Sequence, residues 1–324
     1  MTSVIDYCRL ALGIPLREAI LNDAGAIQRF LETGNADIDL VASNFPNRSL
    51  VSWIARHHMS TIVVAPDIYV CIAQSDKAAQ ESHGLLPGAI SHSLSGLAMA
   101  RDIPGRVHIT GLDIQAELAD LRSLFGSSVG RCNEQSLIEA ERRIASSFSN
   151  CVVAGQAADL GGVVSNALFA DMTNTCQGIL DFVRYGSPCE LEWPVTLFAD
   201  CASRARPALP QIDLTGPARY LYWGPYLYLP PGEWELRASI EIARKPSPIE
   251  VRLDIWSETW CHSCKVLFLS NGRYEVCTQF IKDEALEALE VRLFIDRGEI
   301  EGELGFGGVR LRQLVPSSYA GGVA

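Results

Sequence analysis

Residues 220–234 read YLYWGPYLYLPPGEW. Six aromatic side chains lie within this stretch: Tyr220, Tyr222, Trp223, Tyr226, Tyr228 and Trp234. Aromatic residues favour β-strands, whereas the Gly-Pro and Pro-Pro-Gly steps that interrupt them favour turns. The stretch therefore predicts the opening of an all-β domain, and its density of rings makes it the strongest candidate in the chain for a binding surface.

The rest of the C-terminal part continues the same pattern of strands and turns. Strands are predicted at 219–229, 233–243, 248–257, 264–270, 273–281, 288–296 and 300–313. Asn271-Gly272 is a strong hairpin signal, and Arg297-Gly298 is a second one. A spacing of about ten residues with turns between is typical of a sandwich. We expect an antiparallel, jelly-roll-like β-sandwich over residues 212–315 and a flexible tail over 316–324.

The first 130 residues alternate between helical and strand patterns. Residues 38–42, 61–65 and 106–110 are short apolar or β-branched runs of the kind found in buried parallel strands. Helical patterns lie between and after them, which predicts an α/β layer with a parallel sheet over residues 1–130. Residues 131–186 then read as a helical extension, and residues 187–211 as a Pro-rich linker with a first edge strand.

Composition excludes several classes of partner. The chain has 324 residues, a formal net charge of -11 and 48% hydrophobic residues. Because phosphate binding needs clustered Lys and Arg, this balance argues against nucleic acid and anionic membrane surfaces. No apolar run is long enough for a membrane span. The sequence leaves the oligomeric state open.

The cysteines and the N-terminus predict a reducing, cytoplasmic location. The ten cysteines are scattered along the chain rather than spaced as a small disulfide framework. The first twenty residues lack a basic segment followed by an uninterrupted apolar core, so no signal peptide is predicted. We expect free, mostly buried thiols.

Two N-terminal stretches, TIVVAPD (Thr61–Asp67) and RVHITGLDIQAELADLRSLFG (Arg106–Gly126), resemble a P-loop sulfotransferase domain. The family grips its nucleotide with a Gly/Ser-rich loop and a basic residue, but residues 1–26 contain no such loop. The arginine expected after the first matched strand is replaced by Ala65 or Pro66. The resemblance therefore implies either a degenerate, non-catalytic domain without a cofactor or only a shared α/β topology. A sulfotransferase-like transferase with an atypical nucleotide site is the alternative.

Four C-terminal stretches resemble a β-sandwich module of bacterial proteins associated with surface polysaccharide. They are IDLTG (Ile212–Gly216), GPY (Gly224–Tyr226), LPPGEW (Leu229–Trp234) and GELGFGGVRL (302–311). The resemblance implies a carbohydrate or protein partner. It supplies no catalytic residue.

The motif WCHSCK (Trp260–Lys265) is similar to the redox motif of thioredoxin-like proteins. There the first cysteine lies at a helix N-terminus, which lowers its pKa. Here a strand pattern follows, so Cys261 and Cys264 are expected on opposite faces of a strand. A thiol-redox sensor is a second alternative function.

A zinc site from Cys261, His262, Cys264 and Cys277 lacks a second CxxC, so no metal is predicted.

The aromatic run allows two interpretations. If its strand is regular, Tyr220, Tyr222, Tyr226 and Tyr228 share one face, and Trp223 lies on the other. One face must pack in the core, and the other can present flat rings for stacking on sugars. Alternatively, the rings fill the core. Since neither G-x-S-x-G nor HExxH is present, the sequence favours a non-catalytic or accessory bacterial protein that binds carbohydrate or protein through the sandwich.

Overall fold

We describe a computed structural model of the chain. The described residues are 16–20, 24–33, 38–42, 48–57, 61–64, 85–101, 107–109, ten positions between 117 and 142, 166–186, 188–202, 208–283 and 287–316. The chain divides into two compact units. The first comprises 1–74, 96–160 and 318–324, and the second comprises 75–95 and 161–317.

The first unit contains short parallel strands and helices. Its elements are β1 (Leu16–Ile20), α1 (Ala24–Glu32), β2 (Ile38–Ala42), α2 (Arg48–Arg56), β3 (Ile62–Val64) and β4 (Val107–Ile109). β1 pairs with β2 and β3 pairs with β4, both in parallel. The strands predicted at 38–42, 61–65 and 106–110 are confirmed, whereas β1 was missed. Residues 65–84, which include part of the helical pattern between the predicted strands, and most of 110–165 lie outside the described residues.

The described residues of the second unit include ten strands and a long helix. They are α4 (Asn166–Tyr185), β5 (Glu190–Trp193), β6 (Ala199–Asp200), β7 (Gln211–Asp213), β8 (Arg219–Leu227), β9 (Gly232–Ala243), β10 (Ile249–Trp256), β11 (Cys261–Phe268), β12 (Gly272–Lys282), β13 (Leu289–Ile295) and β14 (Glu303–Pro316). Helix α3 (Leu85–Ala100) belongs to this unit as far as Ser95. None of the helices in the described part of the chain is long and apolar enough to span a membrane.

The strands form two antiparallel sheets. One has the order β11-β10-β13-β8-β6, and the other has the order β12-β9-β14-β5 with β7 also paired to β14. All pairings in both sheets are antiparallel. The predicted antiparallel β-sandwich is confirmed, and each of its seven predicted strands is present within about three residues of its expected bounds.

Strand alternation builds the core. Alternate residues of β9, from Trp234 to Ile242, are fully buried, and so are Ile249, Val251, Leu253 and Ile255 of β10. Because successive side chains point to opposite faces of a strand, these positions fix which face of each sheet is inward. Aromatic rings close the core where Phe306 contacts Phe198 and Tyr222, with centroids 5.0 and 4.9 Å apart.

Two details of the sequence interpretation are corrected. The Asn271-Gly272 turn joins β11 to β12, which lie in different sheets, so it is not a hairpin turn within one sheet. A turn signal marks chain reversal but does not specify the hydrogen-bonded partner. Within residues 187–211 one edge strand was predicted, whereas the described part of this range has two: β5 pairs with β14, and β6 pairs with β8.

Helix α4 approaches the sandwich at Gly178. A methyl group at this position would overlap the carbonyl oxygen of Glu190 and lie 3.0 Å from Cδ2 of Leu191. The helix therefore packs against β5 through bare backbone, and its distance from the sheet depends on the absent side chain.

We expect Gly178→Ala to destabilise the protein. Alanine normally stabilises a helix interior relative to glycine, but here its methyl group must displace backbone atoms, which costs about 1–3 kcal/mol. The free energy of unfolding from urea denaturation measures the effect. Gly88→Ala in α3 is the matched control, because the atom nearest to its added methyl group is the Tyr226 carbonyl oxygen at 3.8 Å. Equal stability changes in the two variants would contradict the prediction.

Candidate functional site

The outward side of the five-stranded sheet carries an unusual set of side chains. Inward packing of alternate β10 residues turns the intervening ones outward, and cross-strand pairing aligns them with residues of β13 and β8. We call this set the aromatic face: Tyr220, Trp223, Arg252, Asp254, Trp256, Glu290, Arg292 and Phe294. Its residues come from three neighbouring strands, which lie about 4.8 Å apart in a sheet.

Rings and guanidinium groups alternate across the aromatic face. The guanidinium of Arg292 lies 4.3 Å from the centroid of Trp256 and 5.8 Å from that of Tyr220. The guanidinium of Arg252 lies 4.4 Å from the centroid of Phe294, whose ring in turn contacts Tyr220 at 4.8 Å. Cation–π contacts of this kind hold both partners in defined orientations.

A buried carboxylate orients Arg292. Glu290 is only 1% exposed although it lies on the outward side of the sheet. Its Oε2 accepts a hydrogen bond from Nε of Arg292 at 2.6 Å and also contacts Nη2. Burial lowers the pKa of Arg292, but the hydrogen bond and the charge of Glu290 outweigh it, so the pKa is raised overall. Arg292 thus remains charged and is fixed between the two rings.

Arg252 is held in a similar way. Its Nε donates to Oδ2 of Asp254 at 3.1 Å, and its Nη1 donates to Oδ1 of Asp296 at 2.8 Å. The other carboxylate oxygen of Asp254 accepts a hydrogen bond from Oγ of Ser263 at 2.6 Å. The two arginines therefore have fixed positions before any ligand arrives.

The structure separates the six aromatic residues of the sequence interpretation. Tyr220 and Tyr226 are 42% and 44% exposed, and Trp223 is half-buried on the aromatic face. Tyr226 also lies near enough to Arg292 to contribute to its raised pKa. Tyr228 is half-buried, with its ring 4.4 Å from that of His92 and its backbone N–H donating to Ser91.

Tyr222 and Trp234 are wrong as surface residues, because both are fully buried. The Tyr222 hydroxyl donates to the Leu209 carbonyl at 2.9 Å, and Nε1 of Trp234 donates to the Pro230 carbonyl at 3.0 Å, so both polar tips are satisfied inside. The predicted grouping of Tyr220 with Tyr222 is also wrong. The pairing of β8 with β13 shifts register between these two positions, which breaks strict alternation.

Six residues of the aromatic face were missed: Arg252, Asp254, Trp256, Glu290, Arg292 and Phe294. Arg252, Asp254 and Trp256 follow each other at every second position of β10, as do Glu290, Arg292 and Phe294 in β13. This spacing of two places each trio on one face of its strand. This spacing of two can be seen in the sequence, but only the sheet order shows that β10 and β13 are neighbours.

The cysteine pair lies in β11, as its strand pattern predicted. Cys261 is exposed, and Cys264 is half-buried next to Leu253 of the inward side. Burial, followed by the charge of Asp254, raises the pKa of the Cys264 thiol. A raised pKa disfavours the thiolate that redox chemistry requires. Among the described residues, no group of three or more His, Cys, Asp or Glu side chains is arranged to hold a metal ion.

A concave region lies between α4 and the outward side of the four-stranded sheet. It has a volume of about 570 Å³ and is lined by charged and amide side chains such as Gln177, Asp181 and Glu192. Its arginines are paired with carboxylates, for example Arg310 with Glu275 at 2.7 Å. Among the described residues that line this region, none is aromatic. The region is therefore less suited than the aromatic face to stacking on sugar rings.

No protein-family model matches the chain. No curated protein matches it either. The sandwich does have neighbours among solved structures, and these include carbohydrate-binding modules. A family 16 carbohydrate-binding module has 13% identity and a TM-score of 0.24, with 31% of this chain and 74% of the other covered.

Two further neighbours have titles that state a ligand. TmCBM61 in complex with β-1,4-galactotriose has 11% identity and a TM-score of 0.23, covering 32% of this chain and 68% of the other. A xylan-binding domain from Paenibacillus barcinonensis has 10% identity and a TM-score of 0.24, covering 33% and 74%. Likeness at this level carries no functional argument for the present chain.

Proposed function

We propose that this protein is a non-catalytic or accessory protein that recognises carbohydrate through the aromatic face of its sandwich. The observation that carries the proposal is the alternation of rings with arginines and carboxylates that already hold one another in place on an outward surface. The exposed rings of Tyr220 and Tyr226 lie in or beside this surface.

The chemistry of sugars matches such a surface. A pyranose ring presents C–H groups on its faces and hydroxyl groups around its rim. Flat aromatic rings with a polar tip suit the faces, and a small number of fixed polar groups suits the rim. On the aromatic face, Tyr220 and Trp223 supply rings, while Arg252, Arg292 and Asp254 supply donors and acceptors at the same level of the sheet.

The side chains of the aromatic face are already held in place before a ligand binds, and this also supports recognition. Arg side chains lose conformational entropy when a ligand immobilises them, at a cost of about 0.5–1.5 kcal/mol each. Arg292 is already confined by Glu290, Trp256 and Tyr220, so most of that cost is met during folding. A weak ligand with few atoms benefits most from this arrangement.

A protein partner is the second candidate for the same surface. Tyr, Trp and Arg are the residues enriched in the centres of protein interfaces. Charged groups are depleted from such centres, whereas here Asp254 and Glu290 are the cross-strand partners of Arg292 and Trp256. The mixture of carboxylates with rings therefore favours a hydroxylated ligand.

We expect Tyr220→Ala and Trp223→Ala each to weaken sugar binding by about tenfold or more, equivalent to about 1.4 kcal/mol. Each change removes a stacking surface without touching the inward side of the sheet. Affinity electrophoresis and calorimetry of the full chain with neutral β-1,4-galactan, xylan and glucan measure the effect. Tyr185→Ala is the matched control, because this tyrosine is 59% exposed at the end of α4, away from the face.

Absence of binding by the unchanged protein to every neutral polysaccharide would refute the carbohydrate proposal and leave the protein-partner candidate. Binding that survives both alanine changes would place the sugar elsewhere on the molecule. Thermal melts of each variant confirm that a lost affinity does not reflect lost folding.

Glu290→Gln tests the fixed position of Arg292. The change removes the ionic partner but keeps the shape, so Arg292 is freed from its place between the rings. We expect sugar affinity to fall about three- to tenfold and the free energy of unfolding to fall by about 1–3 kcal/mol. Glu250→Gln is the control, since its pair with Lys265 is exposed and is worth less than about 1 kcal/mol. Equal affinities of the two variants would show that Glu290 has no positioning role.

A further inference from the structure

The cations on and beside the aromatic face are already neutralised by carboxylates. Asp296, directly after β13, accepts a hydrogen bond from Nη1 of Arg252 at 2.8 Å through Oδ1. Its second oxygen, Oδ2, lies 2.8 Å from Nζ of Lys265. Asp296 therefore bridges an arginine of the face and a lysine of the adjoining strand β11.

Both partners of this bridge have further carboxylates. Lys265 also contacts Oε1 of Glu250 at 3.1 Å, and Arg252 also contacts Asp254. The hydrogen bond from Lys265 lowers the pKa of Asp296 despite partial desolvation, and the charge of Arg252 acts in the same direction. The hydrogen bonds to Asp296 and Glu250 raise the pKa of Lys265. The bridge thus stays fully ionised at neutral pH.

Charge on this part of the described structure is nearly balanced. With the Arg292–Glu290 pair included, three cations are matched by four carboxylates: Glu250, Asp254, Glu290 and Asp296. An anionic ligand group must compete with a fixed carboxylate for each cation, and it meets like charge when it approaches. The whole chain, with a net charge of -11, adds to this repulsion.

Uncharged hydroxyl groups face no such competition. A guanidinium has five N–H donors, and in Arg252 the carboxylate contacts use Nε and Nη1. Each carboxylate oxygen also has more than one acceptor site. The paired groups can therefore still donate to and accept from a sugar hydroxyl, which is both donor and acceptor.

We propose that Asp296 is a specificity-determining residue that restricts the aromatic face to uncharged glycans by neutralising Arg252 and Lys265. This inference rests on the proposed carbohydrate recognition and adds the substrate class. Neutral polysaccharides bind, whereas carboxylated and sulfated polysaccharides are rejected. Asp296 acts through the two cations and need not contact the sugar.

The experiment compares the unchanged protein with its Asp296→Asn variant on two kinds of probe. The neutral probes are β-1,4-galactan and xylan, and the anionic probes are polygalacturonate and dextran sulfate. Affinity electrophoresis and calorimetry are run at about 0.02 M and at about 0.5 M salt, because screening shortens the reach of charges as salt rises. Glu241→Gln is the matched control: it removes one negative charge and frees Arg273 on the other sheet.

We expect the unchanged protein to bind a neutral probe with an affinity that changes less than about twofold between the two salt concentrations. Asp296→Asn should bind the anionic probes at least about fivefold more tightly than the unchanged protein at low salt, which is the effect of about 1 kcal/mol of freed cation. High salt should remove this gain. Neutral binding should change less than about twofold.

The two proposals fail separately. If no neutral probe binds, the proposed function is overturned, and the gain of anion binding in Asp296→Asn still decides the role of Asp296. If the unchanged protein binds polygalacturonate as tightly as a neutral probe, the face recognises sugars but does not reject anions. An Asp296→Asn variant without gain, or an equal gain in Glu241→Gln, would overturn the inference, because net charge alone would then account for the result.

Discussion

The architecture of the C-terminal unit depends on the burial of one side of every strand in the two sheets. Trp234 and its alternate neighbours in β9 are completely buried, as is the row from Ile249 to Ile255 in β10. Removing this apolar surface from water is the dominant stabilising contribution, at roughly 25 cal/mol per Å². Because strand side chains alternate, the same burial decides which residues must point outward. The aromatic face is thus a consequence of the core: once Leu253 and Val291 pack inward, Arg252 and Arg292 have only the outward side.

The contacts of an outward side chain depend on the residues beside it on the neighbouring strands. Arg292 is flanked by rings on two strands and by a carboxylate two residues away on its own strand. A lone ion pair of this kind on a solvent-exposed surface contributes little to the free energy of unfolding. Glu290 is nearly inaccessible, however, so its charge requires Arg292, and Arg292 is in turn packed against Trp256. The pair and the rings therefore form one unit whose parts do not act independently.

Local sequence patterns predicted the strands well but predicted their partners poorly. Seven strands of the sandwich followed from alternation and turn residues, since both are properties of a few consecutive positions. One edge strand was predicted in the range that contains both β5 and β6, because four and two residues carry too little pattern and their pairing with β14 and β8 is non-local. The Asn271-Gly272 turn was recognised, but its crossing between sheets was not.

The same limit applies to the candidate site. Tyr220 and Trp223 were predicted as ring residues because they are close in sequence, whereas Trp256 and Phe294 were missed because only the sheet order joins them. Tyr222 was assigned to the surface with Tyr220 because regular alternation was assumed, and a single register shift opposite Phe294 removed that assumption. A site made by neighbouring strands is therefore hidden from sequence analysis even when each strand is found, since its members are brought together by pairing.

The balance of charge on the aromatic face bears on both folding and recognition. An arginine attracts anions most strongly when no carboxylate lies near it, since every nearby carboxylate reduces its positive electrostatic potential. Arg252 instead shares its donors between Asp254 and Asp296, and Lys265 shares its ammonium between Asp296 and Glu250. Such pairing sacrifices long-range attraction and leaves short-range, directional hydrogen bonds. If the aromatic face recognises sugars as proposed, discrimination depends on the shape and hydroxyl pattern of the ligand that reaches the rings, and charge acts mainly to exclude.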